Sequence, residues 1–243
     1  MTGAIRFRSG EDFREGAVFA VDKPLGWTSF DVVNKTRISL RAAYGKIKVG
    51  HAGTLDPLAT GVVVICTGKE TREIERYMGQ EKEYLARVTF GHTTPSYDLE
   101  SAFDGEYDYS RVDRELLESV ARRFTGEIEQ YPPAFSAVRI NGVRAYEMAR
   151  AGDKVEMKSR RVEIKELEIA GVDMPDVVLR VTCGKGTYIR SLAHDLGREC
   201  GSGSYLSSLR RTRVGEFRVE EAFLVEELVQ QLESITELNQ HIK

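Results

Sequence analysis

Twelve consecutive residues, Gly50-His51-Ala52-Gly53-Thr54-Leu55-Asp56-Pro57-Leu58-Ala59-Thr60-Gly61, place a carboxylate and an imidazole among glycines. Glycine permits tight backbone paths, and Pro57 fixes the chain directly after Asp56. A rigid loop that leads into a buried strand is a good mount for a catalytic carboxylate. Such a group can attack covalently or stabilise a cationic centre. The residues alone also allow a plainer reading, in which Asp56 is a turn residue bonding its own backbone and His51 is structural. A second stretch, Cys183-Gly184-Lys185-Gly186-Thr187-Tyr188-Ile189-Arg190-Ser191-Leu192, sets Gly-Lys-Gly-Thr ahead of a helix, where a phosphate can be cradled. It lacks the spacing of a Walker A loop. It reads equally as a strand-to-helix turn with one exposed lysine. Residues alone reach no further than an anion- or RNA-binding enzyme as one reading beside these plainer ones.

The elements that must position these groups are legible in outline. Ala17 to Val21 reads as a short buried strand, and Thr28 or Ser29 caps a helix carrying Phe30, Val33 and Ile38 on one side. Gly45 to Thr60 reads as a glycine-rich loop, followed by the β-branched strand Val62 to Ile65. Lys82 to Gly91 alternates, with Tyr84, Ala86, Val88 and Phe90 on one face. Asp113 to Thr125 is an amphipathic helix with Leu116, Leu117, Val120 and Phe124 inward, stopped by Gly126. Asn141-Gly142 signals a hairpin, and Ala145 to Ala151 a short helix. Val177 to Cys183 alternates as a strand, and a helix runs from near Tyr188 to before Gly201. Leu224, Leu228, Leu232 and Ile235 share one face of a terminal helix. Strands and helices mix without strict alternation, which favours an α+β sheet fold. No Pro/Ser-rich linker interrupts the 243 residues, which read as a single domain.

A hydrophobic content of 41% supports a buried core, and no apolar run is long enough to span a membrane. The three cysteines are far apart and form no Cys-x-x-Cys pair, so neither a disulfide framework nor a metal site is suggested, and the compartment is cytoplasmic by default. The net charge of −3 alone speaks against nucleic acid. The charge is uneven, however. Arg139 to Lys165 holds eight basic against four acidic residues, Lys185 to Arg218 seven against three, and Val219 onward one against six. Phosphate binding needs local positive potential, not a basic average, although on charge alone these blocks read first as ordinary solvated faces.

The Asp56 stretch strongly resembles the signature of the tRNA pseudouridine-55 synthases, the TruB family. Other blocks follow in the family's order: Asp22-Lys23-Pro24-Leu25-Gly26-Trp27-Thr28-Ser29, Lys82-Glu83-Tyr84, Pro132-Pro133-Ala134-Phe135-Ser136-Ala137, Gly186-Thr187-Tyr188-Ile189-Arg190 and Leu209-Arg210-Arg211-Thr212. The resemblance spans about Ala17 to Phe217. It implies a mixed, largely antiparallel pseudouridine-synthase sheet with flanking helices and an RNA-gripping insertion at about 130–161. It also implies one catalytic domain, here without the C-terminal RNA-binding module of many members.

The implied reaction breaks the C1′–N1 bond of a uridine in the T-arm of tRNA, turns the base, and joins C5 to C1′. It needs no cofactor, metal, membrane or second subunit. By resemblance Asp56 is the reactive carboxylate and Arg190 keeps it ionised. Tyr84 stacks on the extruded base and assists removal of the C5 proton. Tyr188 and Leu209 line the base site, His51 fills the space left by the flipped nucleotide, and Lys23 contacts the RNA backbone. The family's Thr-x-Thr-x-Asp-x-x-Gly run reads here Thr93-Thr94-Pro95-Ser96-Tyr97-Asp98-Leu99-Glu100-Ser101. Asp98 is kept as a substrate-contacting position, the second threonine is displaced, and the final glycine is lost. Competing readings are a non-catalytic RNA-binding or remodelling protein of the same fold, a guide-RNA-directed synthase, and a nucleotide-phosphate enzyme.

Overall fold

A computed structural model describes residues 13–136, 138–140, 142–153 and 155–241. From the N-terminus the elements are β1 (Val18–Lys23), α1 (Ser29–Tyr44), β2 (Val49–Ala52), β3 (Ala59–Thr67) and α2 (Ile74–Met78). There follow β4 (Lys82–Phe90), β5 (His92–Thr93), β6 (Gly105–Glu106), α3 (Arg114–Arg123) and β7 (Gly126–Gln130). The middle of the chain holds β8 (Arg139–Ile140), β9 (Val143–Arg144), α4 (Ala145–Arg150), β10 (Arg160–Asp173) and β11 (Asp176–Cys183). Last come α5 (Ile189–Glu199), β12 (Ser204–Val214), β13 (Phe217–Arg218), β14 (Phe223–Leu224) and α6 (Val225–His241). The chain divides into two compact units, one of residues 1–81 and 211–243 and one of residues 82–210.

In the first unit β3 is the spine. Val62, Val63, Val64, Ile65 and Cys66 are fully buried, so both faces of this strand are covered and its apolar run is continuous. It pairs antiparallel with β1, from Val18 opposite Cys66 to Lys23 opposite Gly61, and with β2, where Ala52 meets Val64. β14 adds to β1 in parallel. The stretch read as one long loop before Thr60 therefore contains a strand, β2. Helix α1 starts with a reciprocal cap: the Asp31 amide donates to Thr28 Oγ1 at 3.1 Å and the Thr28 amide to the Asp31 carboxylate at 2.8 Å.

The buried row of α1 is Val32, Thr36, Leu40 and Tyr44, with Val33 beside it. Phe30 and Ile38 are 56% and 66% exposed, against the expectation. Of the expected row only Val33 turns inward; the buried row follows an i, i+4 spacing, and α1 packs on α6. Phe30 is instead covered in part by the Arg37 guanidinium, 5.8 Å from the ring centre. On α6, Leu228, Leu232 and Ile235 are buried as expected, but Leu224 is 49% exposed, because it lies in β14 and Val225 turns inward in its place.

Gly61 sits at the start of this spine with φ of +107°, and a Cβ there would overlap the main-chain oxygen of Arg211. Backbone strain and overpacking then act together. Gly61→Ala is expected to lower stability by about 3 kcal/mol, read as a shift of the urea midpoint.

The second unit is built on four antiparallel strands in the order β4, β11, β10, β7. Tyr84, Ala86, Val88 and Phe90 of β4 are buried as the alternation requires, and Tyr84 lies opposite Val181. Helix α3 is capped by Asp113, whose carboxylate accepts from the Leu116 amide at 2.9 Å. It buries Leu117, Val120 and Ala121 against β10 and α5. Strand β10 gives no clean sequence signal, because bulges between Ile164 and Glu166 and between Ile169 and Gly171 interrupt its alternation. The segment at 130–161 folds as the β8–β9 hairpin followed by α4, whose Ala145 is fully buried. Asn141, half of the expected turn, lies outside the described residues. The expectation of a mixed, largely antiparallel sheet with flanking helices holds. Among the described residues no helix is long and apolar enough to cross a membrane.

Candidate active site

Asp56 is half-buried on the loop between β2 and β3, and the main chain around it is fixed on every side. The Ser29 hydroxyl donates to the Leu55 carbonyl at 3.1 Å and accepts from the Leu55 amide at 2.8 Å. The Asp56 carbonyl accepts from the Ala59 amide at 3.0 Å, and the Pro57 carbonyl from the Gly26 amide at 2.8 Å. Two buried cations complete the clamp. Lys23 Nζ donates to the carbonyls of Trp27 at 2.6 Å, Pro24 at 2.9 Å and Pro57 at 3.5 Å. Arg211 donates to Val62 at 2.7 Å, Gly53 at 3.1 Å and Thr54 at 3.3 Å. Both side chains are essentially inaccessible to water.

Burial lowers the Lys23 ammonium from 10.5 to about 8; Asp56 opposes the shift and Arg211 adds to it. Between pH 8 and 10.5 the unfolded chain therefore holds a proton that the folded protein has released. Through that window this group makes the protein more stable as pH rises, by up to about 1.4 kcal/mol per pH unit. Below pH 8 its contribution is flat. The difference in unfolding free energy between wild type and Lys23→Met should show this slope in urea titrations from pH 7 to 10. His51 lies on β2, half-buried, and burial lowers its pKa from 6.5, opposed by the Gly53 backbone, so the ring is neutral near pH 7.

In the second unit Arg190 is the second residue of α5 and is 5% exposed. Its Nη1 donates to the carbonyls of Phe135 at 3.0 Å and Ser96 at 3.3 Å, and lies 3.6 Å from Asp98 Oδ2. The other Asp98 oxygen accepts from the Glu100 amide at 2.9 Å, which fixes the carboxylate's rotation. One end of the α5 turn is held by Gln130, whose amide side chain donates to the Tyr188 carbonyl at 3.0 Å and accepts from the Tyr188 amide at 2.8 Å. The Arg160 guanidinium lies 4.4 Å from the centre of the Tyr188 ring and donates to the Gly186 carbonyl. Tyr84 and Leu209 are buried, on β4 and β12.

With this geometry in view, the chain can be set beside known proteins. The model of the TruB family pseudouridylate synthase N-terminal domain matches residues 41–189, and that of the tRNA pseudouridylate synthase B C-terminal domain matches residues 190–243. The tRNA pseudouridine synthase B of Phocaeicola vulgatus is 52% identical over 88% of this chain and 92% of its own length. The chain belongs to the TruB family of pseudouridylate synthases. The protein of the same name from Chloroherpeton thalassium is 43% identical over 93% of this chain and 94% of its own length. Among solved structures, a chain of a Cbf5–Nop10–Gar1 complex is 32% identical with a TM-score of 0.68. The match covers 90% of this chain and 54% of that one.

Within this TruB chain the structure gathers Arg190, Asp98 and the Phe135 carbonyl in one unit, and Asp56, Lys23 and His51 in the other. Lys23 requires a correction: its ammonium is buried and bonded to three carbonyls, so it holds the chain and is not presented to a phosphate. Sequence reasoning placed Ser29 only as a candidate helix cap and gave no role to Arg211 or Gln130. Arg211 was open to detection, since it shares the inward face of a strand with Leu209, two residues earlier, where a charge is out of place unless it bonds something.

Proposed function

We propose that this TruB chain converts a uridine in the T-loop of tRNA to pseudouridine, with Asp56 as the reactive carboxylate. The observation that carries the reading is the double clamp on the Asp56 loop. Two buried cations and one buried hydroxyl fix the main chain before and after a single half-buried carboxylate. Such preorganisation is what differential stabilisation of a sugar cation requires, since no reorganisation is then needed as charge develops. The glycosidic C1′–N1 bond breaks, the base turns, C5 joins C1′, the C5 proton leaves to a base, and N1 takes up a proton, so the product is an isomer of the substrate.

Arg190 supplies a fixed cation, and Tyr84 a ring for an extruded base. Tyr188, Leu209, His51 and Asp98 are assigned to substrate positioning. The same reading takes the enzyme to be a cytoplasmic monomer acting on the T-arm stem-loop, without metal or cofactor. Pseudouridine mapping on tRNA incubated with the purified protein tests it. A new pseudouridine confined to the T-loop is expected; unchanged uridine throughout would leave a binder only.

A further inference from the structure

The segment between β5 and β6 carries two serines at the positions where this chain departs from the family's run. Counted from Asp98, Ser96 takes the place of the second threonine and Ser101 that of the glycine. The two residues are bonded to each other. The Ser96 amide donates to Ser101 Oγ at 3.0 Å, and the two hydroxyl oxygens are 2.7 Å apart. Ser96 Oγ also lies 3.2 Å from the Asp98 carbonyl, which accepts from Thr94 Oγ1 at 2.7 Å.

One arrangement of protons uses every donor once: Ser96 N–H to Ser101 Oγ, Ser101 O–H to Ser96 Oγ, and Ser96 O–H to the Asp98 carbonyl. Ser96 is fully buried, so its hydroxyl bonds to the Asp98 carbonyl away from water, where an unmade bond is costly. Between the serines, Tyr97 sits at φ of +63°, and its carbonyl accepts from the Leu206 amide at 2.9 Å. The loop thus holds an unfavourable backbone conformation through specific bonds.

The same short segment presents two acceptors to Arg190, the Ser96 carbonyl at 3.3 Å and Asp98 Oδ2 at 3.6 Å. We infer that Ser96 and Ser101 form a hydroxyl latch that positions Arg190 for the reaction. Both are positioning residues: they act through the Ser96 carbonyl and the Asp98 backbone. The inference rests on the function proposed above. The latch replaces, with a side-chain hydroxyl, what a glycine at position 101 cannot provide. It makes serine at 96 and serine at 101 a matched pair.

Single-turnover pseudouridine formation on tRNA by the whole chain tests this. Ser101→Ala is expected to lower the rate on the order of 10- to 100-fold, as small displacements of catalytic groups do, with tRNA affinity unchanged. Ser101→Thr, which keeps the hydroxyl, restores most of the rate. Combined with Arg190→Lys, Ser101→Ala adds little, because both act on one guanidinium; an unrelated structural defect would multiply instead. Thermal unfolding identifies a misfolded variant, in which case Ser96→Ala, which breaks the same relay, takes its place. If wild type is active and both Ser101→Ala and Ser96→Ala keep its rate, the latch is wrong and the enzyme stands. If wild type forms no pseudouridine, the function itself falls and the latch with it.

Discussion

Asp56→Asn is expected to lower the rate of pseudouridine formation by at least about 10³-fold, the scale of removing a key catalytic group, while tRNA binding largely remains. The exchange is nearly isosteric and leaves the clamp in place, because the bonds made by Ser29, Lys23 and Arg211 go to main-chain atoms of neighbouring residues. The substitution therefore removes charge and nucleophilicity with little change of shape. Uniform binding energy is untouched, so the loss should fall on kcat and not on KM. Single-turnover kinetics with a matched tRNA-binding isotherm separates the two. A variant as fast as wild type would move the chemistry away from Asp56 altogether.

Arg211→Ala is expected to have the largest effect on stability, about 3–5 kcal/mol, from the cavity together with the lost charged hydrogen bonds. Three carbonyls, of Val62, Gly53 and Thr54, lose a common donor at once when a buried guanidinium is removed. The bonds reach two different stretches of chain, the spine strand β3 and the loop that leads to Asp56. The variant should therefore lose activity even at temperatures where it remains folded. Arg211→Lys keeps the charge, but a single ammonium cannot reproduce a planar fork aimed at separate acceptors, so its stability should fall between the two. Urea unfolding gives the free energies, and the rate at a temperature below both midpoints gives the effect on the loop. An Arg211→Ala protein as stable as wild type would show that the guanidinium is incidental to the fold.

These two predictions divide the work of the site. On the proposed reading Asp56 is the group that reacts, and the cations at 23 and 211 hold the main chain on either side of it. Buried cations are costly unless each proton finds an acceptor. Here the acceptors are main-chain carbonyls, one in β3 (Val62) and the others in the segments after β1 and after β2, which lack the regular pairing of a sheet. The cost of burying the charge and the need to satisfy the loop offset each other.

What the sequence by itself determined is the set of segments with a regular period and the residues that stand out by type. The alternation from Lys82 to Phe90, the apolar run of β3 and the cap at Thr28 follow from local rules, because each depends only on neighbours a few positions away. Asp56, Tyr84, Arg190 and Asp98 stand out in the sequence as candidates because glycine, proline and a run of blocks resembling the family mark them out. Tertiary structure alone decided the rest. It set the rotation of α1, which buries Val32 and Leu40 and leaves Phe30 and Ile38 exposed. It set bulges into β10 that erase its alternation. It also turned Lys23 from a residue expected at a phosphate into an internal clamp, and gave Arg211 its place in the fold. In each case the partners are separated by long stretches of chain or are main-chain atoms, which have no identity in the sequence. Burial is a property of the whole packed unit, and no local period encodes which carbonyl a buried donor will find.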